Sequence, residues 1–122
     1  MVRILIIDDD VEIREMLKEV FEQEGYETII APDGEVAVKC YRDQQADVVI
    51  TDIIMPEKEG IETIMELKQE FPDVRIIAIS GGGRISPDNY LKMAKDFGAM
   101  RTFTKPVRIE KLLEAVKELL ES

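Results

Sequence analysis

The chain contains no histidine, and this absence removes several kinds of chemistry from it. Without an imidazole it cannot build a Ser–His–Asp triad, a histidine–carboxylate metal site or a phosphohistidine of its own. The single cysteine, Cys40, excludes an internal disulfide and a paired-cysteine site, as expected in a reducing compartment. No apolar run approaches the roughly 18 residues of a membrane span, and no signal-peptide pattern follows Met1. We therefore expect a soluble cytoplasmic domain.

Basic residues are also in the minority. The chain has 16 lysines and arginines against 26 aspartates and glutamates, and its net charge is −10. Such a surface repels phosphate backbones, so we expect no direct binding of nucleic acid. A length of 122 residues suits one domain over 1–122. A hydrophobic content of 45% and a charged content of 34% are typical of a globular fold.

Short apolar runs alternate along the chain with helical periodicities. Strands are predicted at 2–7, 26–31, 47–51, 74–79 and 100–104, each followed by a helix. In the second helix, over about 35–43, we expect Val36, Ala37 and Cys40 to face the core. This alternation predicts an α/β fold with a doubly wound parallel sheet and helices on both faces.

Chemically capable side chains follow four of the five predicted strands. Asp8 and Asp9 follow the first strand, Asp52 the third, Ser80 the fourth and Lys105 the fifth. Ligands of such sheets bind beyond the carboxyl ends of the strands. If the first and third strands are neighbours, the carboxylates converge, and their repulsion calls for a cation such as Mg²⁺. A carboxylate nucleophile, a metal site, an amine and a hydroxyl are the groups needed for phosphoryl transfer.

Several segments resemble the receiver domain of bacterial two-component response regulators, in particular single-domain regulators of the chemotaxis type. They are ILIIDDD at 4–10, DIIMP at 52–56, Gly60, IS at 79–80, GA at 98–99 and KP at 105–106. The resemblance covers essentially the whole chain. It implies a flavodoxin-like (βα)5 fold with strand order 2-1-3-4-5.

The resemblance also implies roles for the metal-binding residues. Asp52 would accept a phosphoryl group from a histidine kinase or phosphotransfer protein. Asp9, Asp52 and the backbone carbonyl of Ile54 would bind Mg²⁺, and Asp8 would assist through a water molecule.

Further roles concern the phosphoryl group itself. Lys105 would pair with its oxygens, and Ser80 would donate a hydrogen bond to them after moving inward. Pro106 would follow a cis peptide bond. The missing histidine fits this role, because the phosphoryl donor must then be another molecule.

Phosphorylation in this family changes the surface formed by the fourth helix, the fifth strand and the fifth helix. The resemblance therefore implies a downstream target protein, and it leaves open a phosphorylation-linked homodimer through the same surface. Thr102 stands where the family usually has an aromatic residue, and Phe103 should point to the opposite face of the sheet. The usual aromatic coupling to Ser80 is therefore in doubt. We expect the glycine-rich segment 81–89 to be the most mobile part of the chain.

Two alternatives compete with the signalling switch. The run Asp8-x-Asp10 after a buried strand resembles the first motif of haloacid dehalogenase-type phosphatases, with Asp8 as nucleophile. Those enzymes need a further acidic pair beyond the lysine, where Val107-Arg108-Ile109 leads into a helix instead, and they would leave Asp52 unexplained. A non-phosphorylated interaction module on a receiver-like scaffold is the other alternative.

The side chains at two positions predict slow self-dephosphorylation. Ile54 and Gly82 stand where the family influences water attack on the aspartyl phosphate, and neither has a polar side chain that could orient a water molecule. We expect the label to persist far longer than seconds after the phosphodonor is removed. Decay of a radiolabelled phosphoryl group measures this, and a lifetime of seconds would refute it.

Overall fold

The computed structural model describes residues 1–53, 60–80, 92 and 94–121. Strands and helices alternate along these residues. The strands are β1 (Arg3–Ile7), β2 (Glu27–Ala31), β3 (Val48–Asp52), β4 (Ile76–Ser80) and β5 (Arg101–Thr104). The helices are α1 (Val11–Gln23), α2 (Gly34–Asp43), α3 (Gly60–Glu70), α4 (described at residues 92 and 94–97) and α5 (Ile109–Glu121). Among the described residues, no helix is long and apolar enough to cross a bilayer.

The five strands form one parallel sheet in the order β2-β1-β3-β4-β5. In the central pair, β1 and β3 run in register, with Ile7 opposite Thr51. The next pair places Asp52 opposite Ile79, and the last places Ser80 opposite Thr104. The predicted fold class and strand order are confirmed, and the predicted strands differ from the observed ones by no more than two residues at either end.

Two hydrophobic layers enclose the sheet, because alternate side chains of each strand point to opposite faces. On one face, β1 residues Leu5 and Ile7 pack with α2, α3 and Ala94 of α4. On the other, Ile4 and Ile6 pack with α1 and α5. A strand buried on both faces needs a continuous apolar sequence, and this is the reason for the run in β1.

One sequence prediction about helix α2 is wrong. Val36 was expected to face the core, but 38% of it is exposed. Ala37 is buried as predicted, together with Gly34, Val38 and Tyr41, and Cys40 is half-buried and packs against the same core. Positions 37, 38 and 41 share one face of a helix with 3.6 residues per turn, and position 36 lies almost opposite that face.

The two central residues of β5, Thr102 and Phe103, point to opposite faces of the sheet, as predicted. Phe103 packs against the layer that contains α1 and α5. Thr102 lies opposite Ala78, which belongs to the layer on the other face. Phe103 therefore points away from the face that carries Thr102. The predicted mobility of 81–89 concerns residues outside the described part of the chain.

Gly60, the first residue of α3, lies directly against the end of β3. Its backbone N–H donates a hydrogen bond to the carbonyl of Ile53 at 2.7 Å. A Cβ on Gly60 would overlap the carbonyl oxygen of Asp52 and come within 2.6 Å of the Ile53 Cα. Both neighbours are backbone atoms that cannot rotate away, so any side chain here must displace α3 or the end of β3.

We therefore expect Gly60→Ala to lower the free energy of unfolding by about 2 kcal/mol, because the overpacked backbone must shift. The matched control is Glu62→Ala, an exposed position on the same helix, which should change it by less than about 0.5 kcal/mol. Urea denaturation measures both. Equal stability of the Gly60 variant and the control would contradict the close contact.

Candidate functional site

Three carboxylates meet at the carboxyl edge of the sheet. Asp8 directly follows β1, Asp9 is the next residue, and Asp52 is the last residue of the neighbouring strand β3. Each can offer one oxygen so that the three oxygens lie within 4.8 Å of one another. Asp8 and Asp52 are buried, with 4% and 7% of their surface exposed, and Asp9 is open to solvent. The convergence predicted from the strand ends is thus present.

The turn between β1 and α1 is held by short-range hydrogen bonds. Asp8 Oδ1 accepts from the backbone N–H of Asp10 at 2.9 Å. Asp10 Oδ1 in turn accepts from the N–H groups of Glu12 and Ile13 at 2.9 and 3.4 Å and so caps α1. Asp9, between these two residues, therefore lies on a turn that is fixed on both sides.

Lys105 brings a positive charge to the same place. It follows β5, and its backbone N–H donates to the carbonyl of Ser80 at 2.9 Å. Its amine lies 3.3 Å from Asp52 Oδ2 and 3.7 Å from Asp8 Oδ2. Burial lowers the pKa of this amine, but the attraction of the two carboxylates outweighs it and raises the pKa above its ordinary value. The amine therefore stays protonated. The peptide bond between Lys105 and Pro106 is cis, as predicted.

The electrostatics of Asp8 differ from those of an ordinary surface carboxylate. Its pKa is raised from 3.8 to about 6, chiefly by burial, which the hydrogen bond from Asp10 opposes. The neighbouring charge of Asp52 also contributes to the rise in pKa, while the Lys105 amine acts to lower it. A carboxylate in this state gains from any additional cation that reaches the cluster.

Ser80 lies on the strand next to β3 and is fully buried. Its Oγ has no hydrogen-bond partner among the described residues. A buried hydroxyl without a partner is uncommon, and it leaves a donor ready for an acceptor that approaches from the site. This agrees with the donor role expected of Ser80.

Sequence reasoning missed two residues that support the site. Arg14 Nη1 donates to the backbone carbonyl of Asp8 at 2.8 Å, and Thr51 Oγ1 donates to the carbonyl of Asp52 at 2.9 Å. Neither contact has a signature in the sequence, because each depends on a side-chain rotamer and on a backbone carbonyl. Ile54 and Gly82, which were assigned roles in metal binding and hydrolysis, lie outside the described residues.

The described residues suit a hard divalent cation. Three carboxylate oxygens close to one another, one of them from an exposed residue, leave coordination positions for water and for a phosphoryl oxygen, which is how Mg²⁺ is usually bound. The cluster carries an excess of negative charge that Lys105 offsets only in part. The arrangement can therefore bind Mg²⁺ and neutralise an incoming phosphoryl group next to a carboxylate nucleophile.

Comparison with known proteins gives one consistent result. The family model for the response regulator receiver domain matches residues 4–117. The chain is 34% identical to sporulation initiation phosphotransferase F of Bacillus subtilis over 97% of this chain and 93% of that one. It is 37% identical to the chemotaxis protein CheY of the same organism over 97% of both. A receiver domain protein structure from Clostridium thermocellum superposes with a TM-score of 0.91 at 28% identity, covering 99% of this chain and 95% of that one.

Asp8 should make the metal-free protein less stable as the pH rises. Its pKa in the folded state, about 6, lies above the ordinary value of 3.8, so its favourable contribution is complete below pH 4 and is lost as the pH passes through 6. Asp8→Asn removes this loss. In EDTA we expect the free energy of unfolding of the variant to exceed that of the wild type by up to about 3 kcal/mol at pH 7.5. At pH 4 the difference should be much smaller.

Urea denaturation across this pH range measures the difference, and Asp47→Asn, at the opposite end of β3, is the control. Parallel pH curves for the wild type and Asp8→Asn would contradict the account of Asp8.

Proposed function

The chain belongs to the response regulator receiver domain family, and from this premise we propose that Asp52 is its phosphoryl acceptor. Receiver domains of two-component systems are phosphorylation-activated switches and not enzymes in the ordinary sense. The observation that supports this assignment most is the position of the Asp52 carboxylate, which contacts the Lys105 amine and lies beside the oxygens of Asp8 and Asp9.

The transfer itself requires a donor from outside the chain. A carboxylate oxygen of Asp52 attacks the phosphorus of a phosphohistidine on a histidine kinase or phosphotransfer protein. The new P–O bond forms while the P–N bond breaks, and the departing imidazole nitrogen keeps the electron pair. A small phosphodonor such as acetyl phosphate serves in the same way, with its P–O bond breaking. In this sense the receiver catalyses its own phosphorylation.

Metal binding belongs to the same proposal. Asp9 and Asp52 would hold Mg²⁺ together with the Ile54 carbonyl, and Asp8 would act through a water molecule. The bound ion supplies positive charge next to the phosphoryl oxygens, and Lys105 supplies a second positive charge from the end of β5.

Ser80 connects the reaction to the surface of the protein. Its hydroxyl, which is buried and has no partner within the part of the chain that the structure describes, would move inward and donate to a phosphoryl oxygen. This movement would shift an existing equilibrium and change the surface formed by α4, β5 and α5, where a downstream target protein, or a second copy of the chain, would bind. Most receivers have an aromatic residue at the position of Thr102. The side chain that would follow the movement of Ser80 is therefore smaller here than in most receivers.

The proposed receiver unit spans residues 1–122. It acts in the cytoplasm and through proteins, and its net charge of −10 speaks against direct contact with nucleic acid. The phosphatase alternative is not favoured, because the exposed side chain of Asp10, the second acid of that motif, is engaged in capping α1. Slow loss of the phosphoryl group stays a prediction.

Labelling with radioactive acetyl phosphate tests the assignment. The wild type should take up label in Mg²⁺ and lose this ability in EDTA. Asp52→Asn should remain unlabelled because the nucleophile is gone, whereas Asp8→Asn should be labelled more slowly.

Asp10→Asn is the matched control, since asparagine also caps a helix and the Asp10 side chain, which caps α1, is not one of the three clustered carboxylates. It should be labelled like the wild type. Label retained in Asp52→Asn and lost in Asp8→Asn would instead support the phosphatase. No label in any variant, together with no binding of Mg²⁺, would support the interaction module.

A further inference from the structure

Arg14 connects helix α1 to the end of strand β1. It lies in the first turns of α1, and its side chain folds back so that Nη1 donates to the backbone carbonyl of Asp8 at 2.8 Å. The residue is half-buried, and its Nε is buried without a hydrogen-bond partner among the described residues. Burying a donor without a partner costs free energy. The contact between Nη1 and the Asp8 carbonyl is therefore the interaction that explains the inward position of this guanidinium.

The carbonyl that Arg14 holds belongs to the peptide group between Asp8 and Asp9. The N–H of Asp8 is already fixed by the carbonyl of Ala31 at 3.2 Å, and its carboxylate by the N–H of Asp10. Arg14 adds a contact to the carbonyl of Asp8, a further polar group of the same turn. Rotation of this peptide plane would move the Asp9 backbone, and with it the exposed Asp9 carboxylate, relative to Asp52. Arg14 therefore restrains a backbone motion that can separate the two carboxylates.

We propose that Arg14 is a positioning residue that fixes the Asp8–Asp9 peptide and thereby keeps the Asp9 carboxylate in place for a divalent cation. This inference rests on the proposed function, since it takes the carboxylate cluster as the Mg²⁺ site. Mg²⁺ tolerates little departure from octahedral geometry, so a displaced ligand weakens its binding. Residues that orient metal ligands typically change affinity by about 10- to 100-fold when they are removed.

A simple charge effect would have the opposite sign. Arg14 carries a positive charge on the backbone of the turn that bears Asp8 and Asp9, and removing it would make this end of the sheet more negative. On electrostatics alone, its loss should therefore tighten the binding of Mg²⁺. A purely structural role would lower stability and leave the affinity of the folded protein unchanged. The direction of the change in affinity thus separates the three possibilities.

The test compares Arg14→Met, which keeps the apolar stem but has no donor, with Arg14→Lys, which keeps a donor on a chain of similar length. Arg42→Met is the matched control, because Arg42 pairs with Glu70 on the surface of α2 and α3. The Mg²⁺ dissociation constant is measured by NMR titration of ¹⁵N-labelled protein, and unfolding in EDTA is followed separately. This readout needs no phosphodonor.

We expect Arg14→Met to raise the dissociation constant about tenfold, Arg14→Lys to recover most of the affinity, and Arg42→Met to match the wild type. If Arg14→Met does not fold, Arg14→Leu, which also has no donor, takes its place. Unchanged or tighter Mg²⁺ binding in the folded variant would overturn the inference while leaving the proposed function intact. Absence of Mg²⁺ binding by the wild type would overturn the proposed function first.

Discussion

Repulsion among three carboxylates is the constraint around which this molecule is organised. Oxygens of Asp8, Asp9 and Asp52 gather within 4.8 Å, and two of these residues are almost fully buried. Two like charges 4 Å apart repel each other by roughly 4 kcal/mol near a protein surface. The Lys105 amine offsets part of this cost, at 3.3 Å from Asp52 and 3.7 Å from Asp8. The remainder is free energy that a bound cation can recover, and clusters of this kind are typical of functional sites.

The rest of the fold keeps these charges from separating. The strands that carry them are paired in register and covered on both faces by hydrophobic layers, so the ends of β1 and β3 cannot slide relative to each other. At the carboxyl edge of the sheet, two local contacts with backbone carbonyls also restrain these residues. Gly60 presses against the carbonyl of Asp52, and Arg14 holds the carbonyl of Asp8. The hydrophobic core therefore stabilises a site whose own electrostatics favour dispersal.

Much of this architecture could be predicted from the sequence, and the exceptions have physical reasons. Strands such as β1 are continuous apolar runs, and Asp8, Asp52, Ser80 and Lys105 stand at strand ends, where ligands of parallel sheets bind. The strand order came from resemblance to a family, since local pattern does not decide which strands pair. Val36 was misplaced because several apolar residues of α2 compete for a narrow inward face. The contact of Arg14 with a backbone carbonyl depends on a rotamer, which no residue pattern encodes.

Anomalous diffraction from a crystal soaked in Mn²⁺ tests the central claim most directly, because Mn²⁺ accepts the same octahedral oxygen ligands as Mg²⁺ and can be located independently of the protein atoms. The account predicts one strong anomalous peak at coordination distance from carboxylate oxygens of both Asp9 and Asp52, with the Lys105 amine beside it. The account would be contradicted if the Mn²⁺ peak lay elsewhere, or if none appeared at saturating Mn²⁺ although the three carboxylates remained together.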